Sequence, residues 1–349
     1  MAVGGTDAGR AYIGSFTAAG GWGVVTAAVD HATGALTVLS VTDAVADPSY
    51  LALAPAGDLL YAVSETDDGA VAAYRVTGAT PELTAPPVPV RGAGPTHLAL
   101  HAGHVLIANY GSGSVTAVPL RPDGTLADAP STVLTHKGSG PHPQRQQAPH
   151  AHQVVPDPSG RWAVSVDLGT DSLRVCALDP GGELTLHREV ALRPGSGPRH
   201  LAFHPRGGIA YVLNELAPTV TVCRWDADDG ALKPLGETSV LPGAPDGDAY
   251  PSAIVASPDG RFVWTATRGE DVVSVLAVEE AGERLRFLAT VPCGGHWPRD
   301  LALGSTGRHL YAANERSGDV TWFEVDLETG LPRRAGALDA PAASCVVFD

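Results

Sequence analysis

Lysine is almost missing from this chain. Only Lys137 and Lys233 are lysines among 349 residues, and the rest of the 23 basic residues are arginine. Methionine occurs once, aromatic residues make up 6% and charged residues 17%. Each scarcity excludes something. Against 38 acidic residues the formal net charge is −15, and no block of Lys and Arg interrupts it. The chain lacks the basic face that sequence-independent contact with DNA, RNA or anionic lipid requires, so neither nucleic acid nor a membrane is expected as a partner. No apolar run reaches the ~18–20 residues of a membrane-spanning helix. Met1–Gly9 has neither the basic start nor the apolar stretch of a secretory leader. The four cysteines, Cys176, Cys223, Cys293 and Cys345, are scattered without a CxxC. They read as reduced thiols of a cytoplasmic protein, not as a disulfide frame or a zinc site. There is no P-loop, no GxGxxG after a strand and no GxSxG elbow, so no cofactor and no serine-hydrolase chemistry is expected.

Apolar residues, at 44%, suffice for a sizeable core, and 41 Gly and 29 Pro supply many turns. An internal repeat organises them. PSYLALAPAGDLLYAVSE from Pro48 recurs as PTHLALHAGHVLIANY from Pro95 and HAHQVVPDPSGRWAVSVDLG from His150. PRHLAFHPRGGIAYVLNE from Pro198, PSAIVASPDGRFVWTATR from Pro251 and PRDLALGSTGRHLYAANE from Pro298 follow. A period near 50 residues, built of short apolar alternations with turn signals and no helical pattern, is the mark of a propeller. Each unit reads as four strands. In the unit from Pro198 they are Arg199–Phe203, Ile209–Asn214, Thr219–Trp225 and Leu232–Val240, with the turn Ala227-Asp228-Asp229-Gly230 before the last.

Six units are complete, and the termini supply a seventh. PAASCVVFD, from Pro341, is a first strand that stops where the turn should begin, and AYIGSFT, from Ala11, is a second strand without its first. Joining them closes a ring and removes two exposed edges. The expected fold is therefore all-β: a seven-bladed β-propeller of four-stranded blades, with one blade shared between the termini, as a single domain over residues 1–349. A closed ring has few free edges, so a monomer is expected.

First strands line the central channel, so polar residues that differ between units at equivalent positions there are candidates for a site. The position eight residues before each turn glycine reads Ser49, His152, Arg199, Ser252 and Arg299, with Thr96 in the short unit. The position eight residues after reads Glu65, Leu168, Glu215, Arg268 and Glu315, with Tyr110 in the short unit and Asn109 just before it. One mouth thus gathers His152, Arg199, Glu215, Arg268, Arg299 and Glu315. The least repeat-like stretch, residues 138–152, adds Arg145, His142, His150 and His152. His150 and His152 point the same way in an extended segment. An HxH pair is a weak metal signal, and no metal is expected. Histidine there also suits a general base, because it titrates near neutrality.

At these residues the chain resembles the lactonase family of seven-bladed propellers, which includes propeller-type 6-phosphogluconolactonases and carboxy-muconate lactonizing enzymes. PHAHQVVPDPSGRWAVSVDLGTDSLRV, GPRHLAFHPRGGIAYVLNEL, SAIVASPDGRFVWTATRGEDVVSV and WPRDLALGSTGRHLYAANERSGDVTWF carry the likeness over nearly the whole chain. The resemblance implies a His, Arg, Glu and Arg constellation, which falls here on His150 or His152, Arg199, Glu215 and Arg268. The internal register favours His152, while the family phrase contains both histidines. It also implies a small anionic lactone as substrate, most simply 6-phosphoglucono-1,5-lactone. In that scheme Arg199 and Arg268 bind anionic oxygen, Glu215 or His152 takes a proton from water, and Arg299, Glu315, Arg145 and Asn109 are substrate-binding candidates. Three other readings remain at this level: a muconate-type cyclization, a metal-dependent sugar lactonase, and a propeller that serves only as a binding platform.

Overall fold

A computed structural model describes residues 9–245 and 247–349; residues 1–8, considered above for a leader, lie outside them. Seven antiparallel sheets stand in a ring. The shared blade, blade 1, takes its inner strand Ala343–Phe348 from the C-terminus and Gly9–Ser15, Val24–Val29 and Leu36–Thr42 from the N-terminus. Tyr12 pairs with Val347 and Ile13 with Val346, as the joining of the two ends requires. Blade 2 has Leu51–Leu53, Leu59–Ser64 and Ala70–Arg75, with two short outer pieces, Glu82–Leu83 and Val88–Pro89, on the third strand. Blade 3 has Pro95–His101, His104–Asn109, Ser114–Pro119 and Thr132–Thr135. Blade 4 has Ala151–Pro156, Ala163–Asp167, Ser172–Leu178 and Leu184–Ala191. Blade 5 has Pro198–Phe203, Ile209–Asn214, Thr219–Asp226 and Ala231–Ser239. Blades 6 and 7 begin with Tyr250–Ala256 and Pro298–Leu303 and end with Arg284–Pro292 and Pro332–Asp339.

The second strands are buried on both faces, which explains their unbroken apolar runs. The core is divided into seven clusters, one between each pair of neighbouring blades. Val63, Val71 and Val88 of blade 2 meet Leu98, Val105 and Ile107 of blade 3. Ala11, Ile13 and Val25 of blade 1 meet Tyr311, Ala313 and Val320 of blade 7 and so close the ring. Each fully buried Val or Leu contributes about 1.5–3 kcal/mol. A repeated tyrosine of the second strand ties three of the joints: Tyr61 donates to the Gly124 carbonyl at 2.6 Å, Tyr211 to Gly282 at 3.1 Å and Tyr311 to Gly34 at 2.9 Å, each in the next blade.

Candidate active site

One backbone irregularity, repeated around the ring, builds the site. In six blades the pairing of first and second strands shifts at the same point, so that two inner residues oppose one. The residue skipped by the pairing is Ser344, Thr96, His152, Arg199, Ser252 or Arg299, and Ser49 takes the same place in blade 2. A bulge of this kind re-aims a side chain. Here it turns the first row of candidates toward the axis. A second bond fixes the other row. The N–H of the residue after the second strand donates to the carbonyl two positions before the bulged residue. It runs from Phe16 to Ala342 at 3.1 Å, Glu65 to Asp47 at 3.0 Å, Tyr110 to Gly94 at 2.8 Å, Leu168 to His150 at 3.0 Å, Glu215 to Gly197 at 2.7 Å and Glu315 to Trp297 at 3.1 Å. In blade 6, Tyr250 and Arg268 pair directly. Both rows therefore meet at one mouth of the channel.

Glu215 is the hub of that mouth. Its carboxylate lies 2.6 Å from Arg145 Nη2, 3.1 Å from Arg199 Nε and 2.8 Å from Arg268 Nη2. The side chain is only 2% exposed. Burial would raise its pKa, but Arg268, Arg199 and Arg145 outweigh burial and bring it down to about 2. The carboxylate stays ionised and is a poor proton acceptor at neutral pH. Arg199 Nε and Arg268 Nη2 are ion-paired with Glu215, although neither meets hydrogen-bonding angles with it. His152 is buried beside them, and its Nδ1 has no partner. Burial, then Arg199, holds its pKa well below the usual histidine value, so the ring is neutral at pH 7.

His150 is elsewhere. It precedes the bulge by two residues and sits on the rim, stacked on Tyr110 at 4.4 Å between ring centroids. Its Nδ1 is 2.9 Å from the Tyr110 carbonyl and therefore donates. Asp167 accepts the His150 N–H at 2.9 Å while holding His136 Nδ1 at 2.6 Å and Arg174 at 2.7 Å, and so anchors the loop that carries Arg145. Arg299 and Glu315 form a second charged group across the mouth: Arg299 lies 3.1 Å from Glu315, 3.7 Å from Glu65 and over the Phe16 ring at 4.7 Å. Asn109 is not at the mouth. It is fully buried and donates to Ser114 at 3.1 Å and Thr116 at 2.9 Å, as Asn214 and Asn314 do to their own third strands. It clasps a blade and leaves the set of substrate-binding candidates.

Sequence reasoning missed a lower tier. In blades 2, 3, 5 and 7 the residue after the first-row position is also polar or aromatic and lies near the axis, giving Tyr50, His97, His200 and Asp300 below the first row. Tyr50, His200 and Asp300, together with Ser49, Glu65, Thr96, His152, Arg199, Arg299 and Ser344, line a space of about 10 Å³ on the axis, the size of one water. His97 and His152 lie 5.7 and 5.3 Å from the His200 ring. Burial lowers the pKa of His97 to about 3, with Arg199 adding to the effect. Burial raises Asp300 to about 7, although Val346 N–H and Arg199 oppose this. Among the described residues no group of His, Cys, Asp and Glu is arranged to hold a metal ion. A larger cavity, about 670 Å³, is at the opposite end of blades 2 and 3, around Asp58, His101 and Asp123, away from these residues.

Comparison with known proteins places this geometry in context. Residues 10–348 match the family model described as "Lactonase, 7-bladed beta-propeller". The chain is 34% identical over 342 residues to the 6-phosphogluconolactonase of Bacillus subtilis, covering 97% of each. The solved structure of a Pseudomonas aeruginosa periplasmic gluconolactonase superposes with a TM-score of 0.92 at 30% identity, covering 98% of this chain and 99% of that one. A Lactobacillus plantarum crystal structure gives the same TM-score at 28% identity over 98% and 99% of the two chains.

Proposed function

As this chain belongs to the lactonase family of seven-bladed β-propellers, we propose that it is a carboxylic-ester hydrolase that opens a sugar lactone, 6-phosphoglucono-1,5-lactone, at the Glu215 mouth. The observation that carries the reading is the pair of buried guanidinium groups, Arg199 and Arg268, held by Glu215 beside the unpartnered Nδ1 of a neutral His152. The guanidinium groups supply N–H donors and the neutral ring supplies an acceptor. Ester hydrolysis needs that combination, because water loses a proton while the carbonyl oxygen becomes an oxyanion. Water adds to the lactone carbonyl carbon as His152 Nδ1 takes its proton. Arg199 and Arg268 hold the oxyanion. The tetrahedral centre collapses, the bond from carbonyl carbon to ring oxygen breaks, and His152 returns the proton to the leaving oxygen. A neutral imidazole can do this, whereas Glu215, held near pKa 2, serves to keep the guanidinium groups in register. Such lactones open readily without help, so a weakly basic histidine meets a modest demand.

The protein acts as a monomer in the cytoplasm on this reading. All four cysteines are unpaired and buried, which suits a reducing compartment. No helix of the described residues is long and apolar enough to cross a membrane. The reading is tested by adding the protein to freshly prepared 6-phosphoglucono-1,5-lactone and following acid release. Faster opening than the spontaneous rate, insensitive to chelator, is expected. A rate equal to the spontaneous one rejects the substrate and favours muconate-type lactonizing chemistry or a binding platform.

A further inference from the structure

The arginines of the mouth are almost all neutralised. Arg145, Arg199 and Arg268 share Glu215, and Arg299 lies between Glu315 and Glu65. Arg316 differs. It is exposed, and no carboxylate of the described residues pairs with it. It is nonetheless held: its guanidinium carbon lies over the Trp297 ring, 3.4 Å from the centroid. Arg268 faces the same ring at 5.6 Å, and Tyr250 packs against it edge-on at 6.2 Å. One indole thus joins a free surface cation to an arginine of the buried cluster.

Trp297 itself breaks the pattern of the repeat. The residue two positions before the bulge has positive φ in blades 1, 2, 3, 5 and 7: Ala342 at 51°, Asp47 at 44°, Gly94 at 56°, Gly197 at 57° and Trp297 at 66°. Glycine adopts this backbone freely, and a bulky side chain does so only when its surroundings impose it. The surroundings are visible. Trp297 N–H donates to Asp271 Oδ1 at 2.8 Å, and Asp271 also holds His296 Nδ1. The His296 carbonyl accepts the Arg316 N–H at 3.1 Å, and the His296 N–H donates to Ser317 Oγ at 2.8 Å. The strained residue and the free arginine are therefore fixed to each other by backbone as well as by stacking. Strain of this kind gathers at ligand sites.

We propose that Arg316, stacked on Trp297, is the subsite for the substrate's phosphoryl group and selects the phosphorylated lactone over the plain one. The proposal rests on the sugar-lactone reading above. A planar guanidinium offers a phosphate two parallel N–H donors, and stacking orders it beforehand without spending its charge. Arg299 and Arg145, the expected phosphate ligands, are already committed to carboxylates.

The test compares wild type, Arg316→Gln and Trp297→Gly on 6-phosphoglucono-1,5-lactone and glucono-1,5-lactone. Glycine at 297 keeps the turn that Gly94 and Gly197 make, so this variant should fold, with its thermal transition as the control. The kcat/KM preference for the phosphorylated lactone should fall about ten-fold or more in both variants, the loss lying in KM. An equal fall on both lactones, or no change in preference, overturns the proposal. Calorimetric binding of 6-phosphogluconate and gluconate gives a readout that does not need turnover. Wild type should bind the phosphorylated acid more tightly, and Arg316→Gln should lose that difference. If wild type opens neither lactone but this binding difference holds, the hydrolase reading fails and the phosphoryl subsite stands. If wild type binds both acids equally, the subsite fails.

Discussion

Arg199 and Glu215 face each other at 3.1 Å because they bracket one hairpin of blade 5: the first is the bulged residue of the inner strand, the second follows the end of its neighbour. The same two positions hold Arg299 and Glu315 in blade 7, at 3.1 Å. In blade 5 two more arginines converge on the carboxylate from other parts of the chain, and this excess makes the pair into a site.

The excess predicts what Glu215→Gln will do. Removing the carboxylate leaves three guanidinium groups around a neutral amide. Breaking a buried ion pair on one side costs about 3–5 kcal/mol. A lowered thermal transition is expected, which raised salt partly restores by screening the arginines. Because Glu215 is held near pKa 2, below its ordinary 4.5, its stabilising contribution is present at pH above about 4.5 and is lost as pH falls toward 2. The wild-type transition should fall over that window more steeply than the variant's. Parallel curves would contradict the assignment.

The two histidines of the PHAH phrase should separate. His152→Ala removes the proton acceptor and should lower kcat about 10²–10⁴-fold. His150→Ala removes a hydrogen bond to Tyr110 and a stacked ring, worth about 1 kcal/mol of local stability, so its effect should appear first as loosening of the loop that carries Arg145. Rates and melting curves of both variants decide this. A larger loss of kcat in the His150 variant would reverse the assignment.

Asp300 gives a pH signature of opposite sign to Glu215. Its folded pKa is raised from 3.8 to about 7, so the folded protein retains a proton that the unfolded chain releases. Stability is therefore lost as pH rises from about 4 to about 7, and the cost is constant above that. Asp300→Asn keeps an oxygen that can accept the Val346 N–H and removes the charge. Its melting temperature relative to wild type should rise between pH 5 and pH 8. A constant difference would mean that Asp300 titrates normally.

The ring and the upper rows of the site were legible because the turn between first and second strands has one length in most units. Counting eight residues from Gly207 or Gly307 lands on side chains that really share a level. The count fails in two places. Ser344 belongs to the first row, but its unit ends before a turn glycine exists to count from. His97, His200 and Asp300 went unseen because strict alternation sends them to the opposite face, and only the bulge turns two successive residues inward. Asn109 was misplaced for a related reason: its position in the second strand lies inside the blade, where the amide is used by Ser114 and Thr116. Arg316 and Trp297 lie just beyond the counted positions, and their meaning depends on which arginines have partners, which no spacing reveals.

The central claim is that the Arg199, Arg268 and His152 atoms around Glu215 perform the chemistry. Its most direct measurement is the single-turnover rate of lactone opening by Arg199→Ala against wild type, at saturating 6-phosphoglucono-1,5-lactone, with both proteins shown to be folded by their melting curves. A loss of about 10²–10³-fold is expected, the size seen when one oxyanion donor is removed. An Arg199→Ala protein that is folded and opens the lactone at the wild-type rate would contradict the account and move the chemistry away from this mouth.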